Sequence, residues 1–301
     1  MSTRRAWYGR DTGLTLRMGF TMFLLAALYL AFMAFLLRTT SSLLIVGLFG
    51  VGMALFQYFG SDKLVLLSTG AHEVSAAQAP ELHGIIERLC QLADLPKPRV
   101  AMMDSAMPNA FATGRSPKKA TVCVTRGLMD TLDRPEVEAV LAHELAHVKN
   151  RDMTVITFAS LFATMASYIV QMGMWFGFGG DDRDRRDGGN SIAMVYLVSV
   201  VVWAVSFVLL RTLSRYREYA ADRGAAILTG SPSHLASALL KIEGRMRRIP
   251  SGDLRQAQAM SAFYIMPAVG RAAISELFST HPSLEHRLER LRAMEQSMET
   301  V

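Results

Sequence analysis

Four long runs of the sequence contain no Asp, Glu, Lys or Arg, and they constrain the fold more than any other feature. An α-helix rises 1.5 Å per residue, so about 20 helical residues cover the roughly 30 Å hydrocarbon core of a bilayer. Each run is therefore predicted to be a membrane-spanning helix. The four runs are residues 18–37, 43–59, 153–178 and 191–210.

The composition and the placement of charge agree with a membrane protein. Apolar residues make up 51% of the chain and charged residues 19%, which argues against a soluble, disordered or disulfide-stabilised class. The net charge of +6 does not indicate nucleic acid, because the basic residues border the apolar runs. By the positive-inside rule, the basic N-terminal segment and all large polar segments are predicted to be cytoplasmic. The N-terminal arginines are Arg4, Arg5, Arg10 and Arg17.

Two of the runs and the two cysteines allow other interpretations. The second run has only 17 residues and contains glycines, so a buried or re-entrant helix is the alternative to a full span. The first run is longer than the apolar region of a signal peptide and lacks a cleavage site, which favours a retained anchor. Cys90 and Cys123 have no metal-binding spacing and are predicted to be reduced packing residues.

The segment between the second and third runs is predicted to contain helices and a small sheet. Apolar residues recur at helical spacing over Pro80–Leu95, and Pro96 ends that pattern. Arg99–Met103 and Thr121–Thr125 have the composition of short strands. Asp133, followed three residues later by Glu136, predicts the capped start of another helix.

The helix that is predicted to start at Asp133 contains the candidate metal-binding and catalytic residues. His143 and His147 are four residues apart, so both imidazoles lie on one helical face and can bind one zinc ion. Glu144 is placed to reach a metal-activated water as a general base. The alternative is an amphipathic helix with incidental histidines.

A catalytic zinc site needs a third protein ligand, and spacing alone leaves two interpretations of the acids after the fourth run. Glu218 and Asp222 are also four residues apart. Glu218 could bind zinc while Asp222 orients a ligand histidine. Alternatively, both acids belong to a solvated salt-bridge face with Arg215 and Arg223.

Three separated motifs together resemble the HtpX family of bacterial membrane zinc metalloproteases and the related CAAX prenyl proteases. The resemblance extends over nearly the whole chain. The motifs are His143–His147 with Asn150, Arg151 and Asp152; Arg-x-x-Glu-x-x-x-Asp from Arg215 to Asp222; and His281-Pro282-Ser283 with Arg287.

The resemblance implies the fold class and the domain organisation. The expected fold is a mainly α membrane protein with four transmembrane helices and a cytoplasmic α+β gluzincin-type zinc metalloprotease domain that contains a small β-sheet. A cytoplasmic tail and a transmembrane hairpin precede the first part of the protease domain, and a second hairpin separates it from the second part. The expected bounds are 1–17, 18–59, 60–152, 153–210 and 211–301.

The resemblance also assigns roles to residues. It implies one Zn²⁺ per chain held by His143, His147 and Glu218, with Glu144 as catalytic base. It implies supporting positions for Asp222 and Asp152; for Asp152, an ordinary charge at a helix junction is the alternative. His281 and Arg287 match positions that stabilise the oxyanion, although a helix cap and a solvated charge would also explain them. The implied substrate-binding edge strand, for which an ordinary hairpin strand is the alternative, is Asn109, Ala110, Phe111 and Ala112.

The expected function is hydrolysis of misfolded or damaged membrane proteins, or of unfolded polypeptides, at the cytoplasmic face of the bacterial inner membrane. The expected partners are these substrates and the lipid bilayer, with no nucleic acid, and the oligomeric state stays open. A scaffold or holdase with a structural metal is the alternative, against which Glu144 argues because a structural site needs no such acid. A transporter is disfavoured because the spans contain no charged residue.

Overall fold

The computed structural model describes residues 12–39, 69–176, 189–248 and 282–299, with isolated positions between 48 and 56. The chain divides into two compact units. One comprises Met1–Leu14, Asp62–Thr154 and Ser214–Val301, and the other comprises Thr15–Ser61 and Val155–Leu213. In chain order the elements are α1 (Thr12–Thr39), β1 (His72–Glu73), α2 (Pro80–Ala93), β2 (Arg99–Met103), β3 (Ala110–Thr113), β4 (Thr121–Thr125), α3 (Arg126–Thr131), α4 (Arg134–Lys149), α5 (Asp152–Phe176), α6 (Gly189–Thr229), α7 (Pro232–Met246) and α8 (Leu284–Glu299).

Three helices among the described residues are long and apolar enough to cross a membrane. The qualifying segments are Thr12–Thr39, Asp152–Gln171 and Ala193–Thr229. They coincide with the first, third and fourth uncharged runs, which are therefore confirmed as long apolar helices. The second run, 43–59, lies almost entirely outside the described residues, so its span stays a prediction.

The second unit is an apolar helical cluster. Leu25 and Phe32 on α1 are each 1% exposed and pack with residues of α5 and α6. The Tyr29 hydroxyl donates a hydrogen bond of 2.7 Å to the carbonyl oxygen of Ala159, which gives this buried phenol a partner. Because many side chains on these helices are nevertheless exposed in the isolated chain, an apolar surrounding medium suits them.

The first unit contains a four-stranded mixed sheet with the order β1-β2-β4-β3. β2 pairs in parallel with β4, while β1 and β3 pair antiparallel with β2 and β4 respectively. The strand bounds predicted from composition, Arg99–Met103 and Thr121–Thr125, are confirmed. β4 reads Thr-Val-Cys-Val-Thr and is buried throughout, as suits β-branched residues in a central strand. β3 is left at one edge of the sheet.

Helices cover the sheet and enclose α4. α2 buries the face formed by Leu82, Ile85, Ile86 and Leu89, as its spacing predicts, and ends at Ala93, two residues before the predicted end. Asp94 adopts a left-handed conformation with φ of 53° there, which closes the helix. α4 has buried residues on all sides, because α2, β3 and α7 surround it.

The first turn of α4 is fixed to α7 by polar contacts. Glu136 accepts a hydrogen bond of 2.9 Å from the backbone N–H of Asp133, which confirms the predicted capping arrangement. The same carboxylate accepts bonds from Lys241 Nζ at 2.8 Å and Ser237 Oγ at 2.6 Å, both on α7. These contacts attach the first turn of α4 to α7, ahead of the two motif histidines.

The last turn of α4 is followed by a sharp break. Asn150 caps the helix, and Arg151 adopts a left-handed conformation with φ of 55°. The apolar helix α5 then begins at Asp152. This break separates the motif helix from the candidate span, so the two form distinct helices.

Two glycines provide a matched test of packing in the first unit. A Cβ on Gly127 in α3 would lie 2.2 Å from the backbone oxygen of Ala106, whereas one on Gly84 in α2 would meet no atom within 4 Å. Gly127→Ala is therefore expected to destabilise the protein by about 1–3 kcal/mol. Gly84→Ala is expected to be neutral or to stabilise it by up to about 1 kcal/mol. Thermal unfolding of both variants in the same detergent measures the difference, and equal melting points would contradict this packing.

Candidate metal centre

The two motif histidines lie side by side on α4. Their Nε2 atoms are 3.1 Å apart, as expected for imidazoles one helical turn apart. His143 is 1% exposed, whereas the side chain of His147 retains 16% of its exposure. One ligand is thus enclosed and the other borders an accessible side.

Glu218, on α6, completes a three-residue cluster. Its Oε2 lies 3.6 Å from His143 Nε2, and its Oε1 lies 3.5 Å from His147 Nε2. One ligand atom from each of the three residues lies within 4.8 Å of the others. The carboxylate is buried, so the alternative of a solvated salt-bridge face for Glu218 and Asp222 is wrong. Two imidazole nitrogens and one carboxylate oxygen converge on a common point.

A carboxylate lies behind each histidine. His143 Nδ1 is 2.9 Å from Asp222 Oδ1, and His147 Nδ1 is 2.6 Å from Asp152 Oδ2. When each Nδ1–H donates to its carboxylate, the lone pair of each Nε2 is directed at the point shared with Glu218. Asp222 and Asp152 therefore lie at the supporting positions expected of them, and Asp152 is a buried group rather than a solvated junction charge.

A buried arginine accompanies each of these carboxylates. Arg287 Nε and Nη2 donate to both oxygens of Asp222, at 2.9 and 2.6 Å, and Arg287 Nη1 is 3.7 Å from Glu218. Arg287 is 0% exposed, so its interpretation as a solvated charge is wrong. Arg217 Nε is 2.9 Å from Asp152 Oδ1. Arg217 is not part of any of the three sequence motifs, whereas Arg215, two residues earlier, begins one of them.

Glu144 faces the edge strand. It is 5% exposed, and its Oε2 accepts a 2.9 Å hydrogen bond from the backbone N–H of Ala112 on β3. Burial is the main cause that raises the pKa of Glu144, while the two histidines oppose the increase. A raised pKa brings a carboxylate closer to the range in which it can both accept and return a proton.

The charges of the cluster compensate one another. Burial alone would lower the pKa of His143, but hydrogen bonds and charge from Asp222 and Glu218 raise it to about 10. Burial would raise the pKa of Asp222, yet Arg287 and His143 hold it below its ordinary value. The opposite charges next to each group therefore offset the cost of burying it.

One side of the β3 backbone, the side towards Glu144, pairs with no other strand among the described residues. Asn109 lies just before β3, and its carbonyl oxygen accepts from the N–H of Thr125 on β4 at 2.9 Å. Because polar backbone groups alternate along an antiparallel strand, Phe111 also faces β4, while Ala110 and Ala112 face away from it. The predicted strand is therefore an edge strand in the structure, and it borders Glu144.

Comparison with known proteins identifies the family. Residues 76–295 match the model of peptidase family M48. The chain is a member of peptidase family M48. It is 60% identical over 298 residues to the protease HtpX homolog of Moorella thermoacetica, covering 98% of this chain and 99% of the relative. It is also 56% identical to protease HtpX homolog 2 of Methanosarcina acetivorans, covering 98% and 99%.

A solved structure shares the fold of this chain. The crystal structure of Ste24p from S. mikatae matches with a TM-score of 0.53 and 18% identity, covering 88% of this chain and 62% of that one. The chain therefore spans about 62% of the length of Ste24p. The resemblance to the HtpX family is confirmed, and the likeness to Ste24p shows a shared fold.

Membership of family M48 indicates that the cluster of His143, His147 and Glu218 is a candidate metal site. M48 enzymes are metal-dependent peptidases, so this chain is a metallopeptidase, as predicted. The convergence of His143, His147 and Glu218 satisfies the donor set that such an enzyme needs. His281 lies outside the described residues, so its role stays a prediction. His72, His83, His234 and His286 do not join the cluster.

The cluster predicts different results for two acids on α6. Glu218→Ala should remove most of the bound metal, because it deletes a ligand. Asp222→Ala should weaken binding by about 10–100-fold, because it leaves all three donor atoms in place. Metal content after purification and titration with a chelator measure both effects. Glu243→Ala on α7 is the control, and stoichiometric metal in Glu218→Ala would contradict the ligand assignment.

Proposed function

We propose that this M48 protein is a zinc-dependent endopeptidase that cleaves misfolded or damaged membrane proteins. The observation that carries the proposal is the convergence of His143, His147 and Glu218 next to the buried carboxylate of Glu144. A structural metal site would need the three ligands but not the fourth acid. The holdase alternative therefore leaves Glu144 unexplained.

Zinc is the metal that suits this donor set. Two imidazoles and one carboxylate are typical of catalytic zinc, with a further position left for water or substrate. The bound metal would act as a Lewis acid that lowers the pKa of water and polarises the peptide carbonyl. The side chain of His147 is the more exposed of the two imidazoles, so substrate is expected to approach from its side.

Glu144 is proposed as the general base and subsequent acid. It takes a proton from the attacking water and returns it to the amine that leaves the cleaved bond. The N–H of Ala112 holds one of its oxygens, which fixes the direction of the other. The raised pKa of Glu144 in the buried site makes its carboxylate a stronger base towards the attacking water.

The edge strand β3 is proposed to bind the substrate backbone. An extended peptide can pair with the outward N–H and C=O groups of Ala110 and the outward C=O of Ala112, as a strand added to the sheet. Such pairing places a peptide bond beside Glu144 with little dependence on sequence. Asn109 and Phe111 belong to this proposed site as the residues that hold the strand on β4.

His281 and Arg287 are proposed to stabilise the oxyanion of the tetrahedral intermediate. The structure adds a constraint on Arg287. Two of its nitrogens already bind Asp222, so only Nη1 is directed towards Glu218. The greater part of this role is therefore assigned to His281.

The membrane arrangement is proposed to have four spans. A cytoplasmic tail (1–17) and a hairpin (18–59) precede the first part of the protease domain (60–152), and a second hairpin (153–210) precedes the second part (211–301). The arginines beside the runs favour a cytoplasmic active site in the bacterial inner membrane. Such a site would meet damaged membrane proteins, for which we propose a quality-control role during stress.

The proposed base predicts a separation of binding and catalysis. Glu144→Gln should retain zinc, because it removes no ligand, and should lose at least about 100-fold of hydrolysis, because an amide cannot accept the proton. An unfolded membrane protein is the substrate, and metal is measured on the same sample. Glu138→Gln, on α4 and paired with Arg88, is the control. Hydrolysis within a few fold of the parent in Glu144→Gln would reject the role of Glu144 as the base.

The proposed topology predicts which side each loop faces. A cysteine at Gly188 should react with a membrane-impermeant maleimide in intact cells, and one at the exposed Lys118 only after permeabilisation. The parent chain is the control, since burial raises the pKa of Cys90 to about 11 and of Cys123 to about 12. Both native thiols then contain little reactive thiolate at neutral pH. The reverse pattern would place the active site outside the cytoplasm.

A further inference from the structure

Arg217 is a buried cation next to the metal cluster. It directly precedes the ligand Glu218 on α6, and its side chain is 7% exposed. Its Nε lies 2.9 Å from Oδ1 of Asp152, whose side chain is 3% exposed. Burying a guanidinium group costs much desolvation free energy, so Arg217 needs an oppositely charged partner.

Asp152 divides its two oxygens between two groups. Oδ1 faces Arg217, and Oδ2 is 2.6 Å from His147 Nδ1. A carboxylate held at one oxygen by a guanidinium cannot rotate freely, so the direction of the other oxygen is fixed. The direction of that second oxygen sets the plane of the His147 ring.

The opposite side of the cluster repeats this arrangement with different elements. Asp222 lies 2.9 Å from His143 Nδ1 and binds the buried Arg287 of α8. Each ligand histidine is therefore backed by an aspartate, and each aspartate by a buried arginine. Arg217 occupies for His147 the place that Arg287 occupies for His143.

The position of the Arg217–Asp152 pair in the chain is also informative. Asp152 is the first residue of α5, directly after the left-handed Arg151, and Arg217 is on α6. The pair therefore joins the beginning of one candidate span to the helix that continues from another. His147, on α4, contacts this junction only through Asp152 among the contacts described.

We infer that Arg217 is a positioning residue, which fixes Asp152 so that His147 presents Nε2 to the metal. The inference rests on the proposed function, since it requires His147 to be a metal ligand. Arginine suits this role because its guanidinium stays charged when it is buried and is more weakly hydrated than the ammonium group of lysine. Replacing Arg217 leaves all three metal-binding side chains present. The orientation of the His147 ring is then no longer fixed.

Zinc affinity of the full-length protein in detergent tests the inference. The metal-free protein is titrated with Zn²⁺ in competition with a chromophoric chelator. Arg217→Gln should weaken binding by about tenfold, Arg217→Lys by less, and Asp152→Asn by about 10–100-fold. The double variant should bind no more weakly than Asp152→Asn alone, because Arg217 acts through Asp152.

The chain offers a matched control. Arg126 Nε and Asp104 Oδ1 are also 2.9 Å apart, but both side chains are more than 60% exposed and neither contacts the cluster. Arg126→Gln and Asp104→Asn should keep the zinc affinity of the parent. The visible spectrum of the Co²⁺-loaded protein provides a second readout, which should change in Arg217→Gln and stay unchanged in Arg126→Gln.

The outcomes separate the inference from the proposed function. Zinc affinity unchanged in His147→Ala would overturn the proposed ligand set itself. Loss of zinc in His147→Ala together with parental affinity in Arg217→Gln would overturn only the role of Arg217. Additive losses in the double variant would overturn it as well. If Arg217→Gln does not fold, Arg217→Lys decides, and parental affinity in Arg217→Lys overturns the inference.

Discussion

The burial of charge next to α4 is the constraint on which the rest of the structure depends. Two imidazoles, four carboxylates and two guanidinium groups lie almost without water around one turn of this helix. Isolated charges in such a place would cost far more free energy than the fold can supply, so each must face an opposite charge or a donor. This requirement brings α5, α6 and α8 against α4, because the partners of its histidines lie on those helices.

The need to pair buried charges also explains why both ends of α4 are fixed in place. Its first turn is fixed to α7 through Glu136, and its last turn ends in the left-handed Arg151. That break returns the chain at Asp152 towards His147 instead of continuing straight into the candidate span. A single uninterrupted helix would carry Asp152 away from the histidine five residues before it.

The edge strand β3, which we propose as the substrate-binding strand, lies next to the buried charges. Within the described part of the chain, the hydrogen-bond partner of Glu144 is the neutral N–H of Ala112 rather than a guanidinium. This neutral donor leaves Glu144 the acid with the raised pKa, whereas Asp152 and Asp222 are held below their ordinary values. The proposed difference between Glu144 as a base and Asp152 and Asp222 as orienting acids is therefore attributed to the partner of each carboxylate.

The sequence by itself determined every feature that depends on spacing along one segment. The long apolar helices, strands β2 and β4, the cap at Asp133 and the pairing of His143 with His147 all follow from local periodicity, and family resemblance added Glu218 to the ligand set. The burial of Arg217 could not be predicted in this way, since the sequence motif includes Arg215 and leaves Arg217 at an unspecified position. Only the tertiary structure decided that Arg217 is buried against Asp152 and that Arg287 binds Asp222. Pairing of buried charges across 65 residues depends on which helices meet, and local spacing carries no information about that.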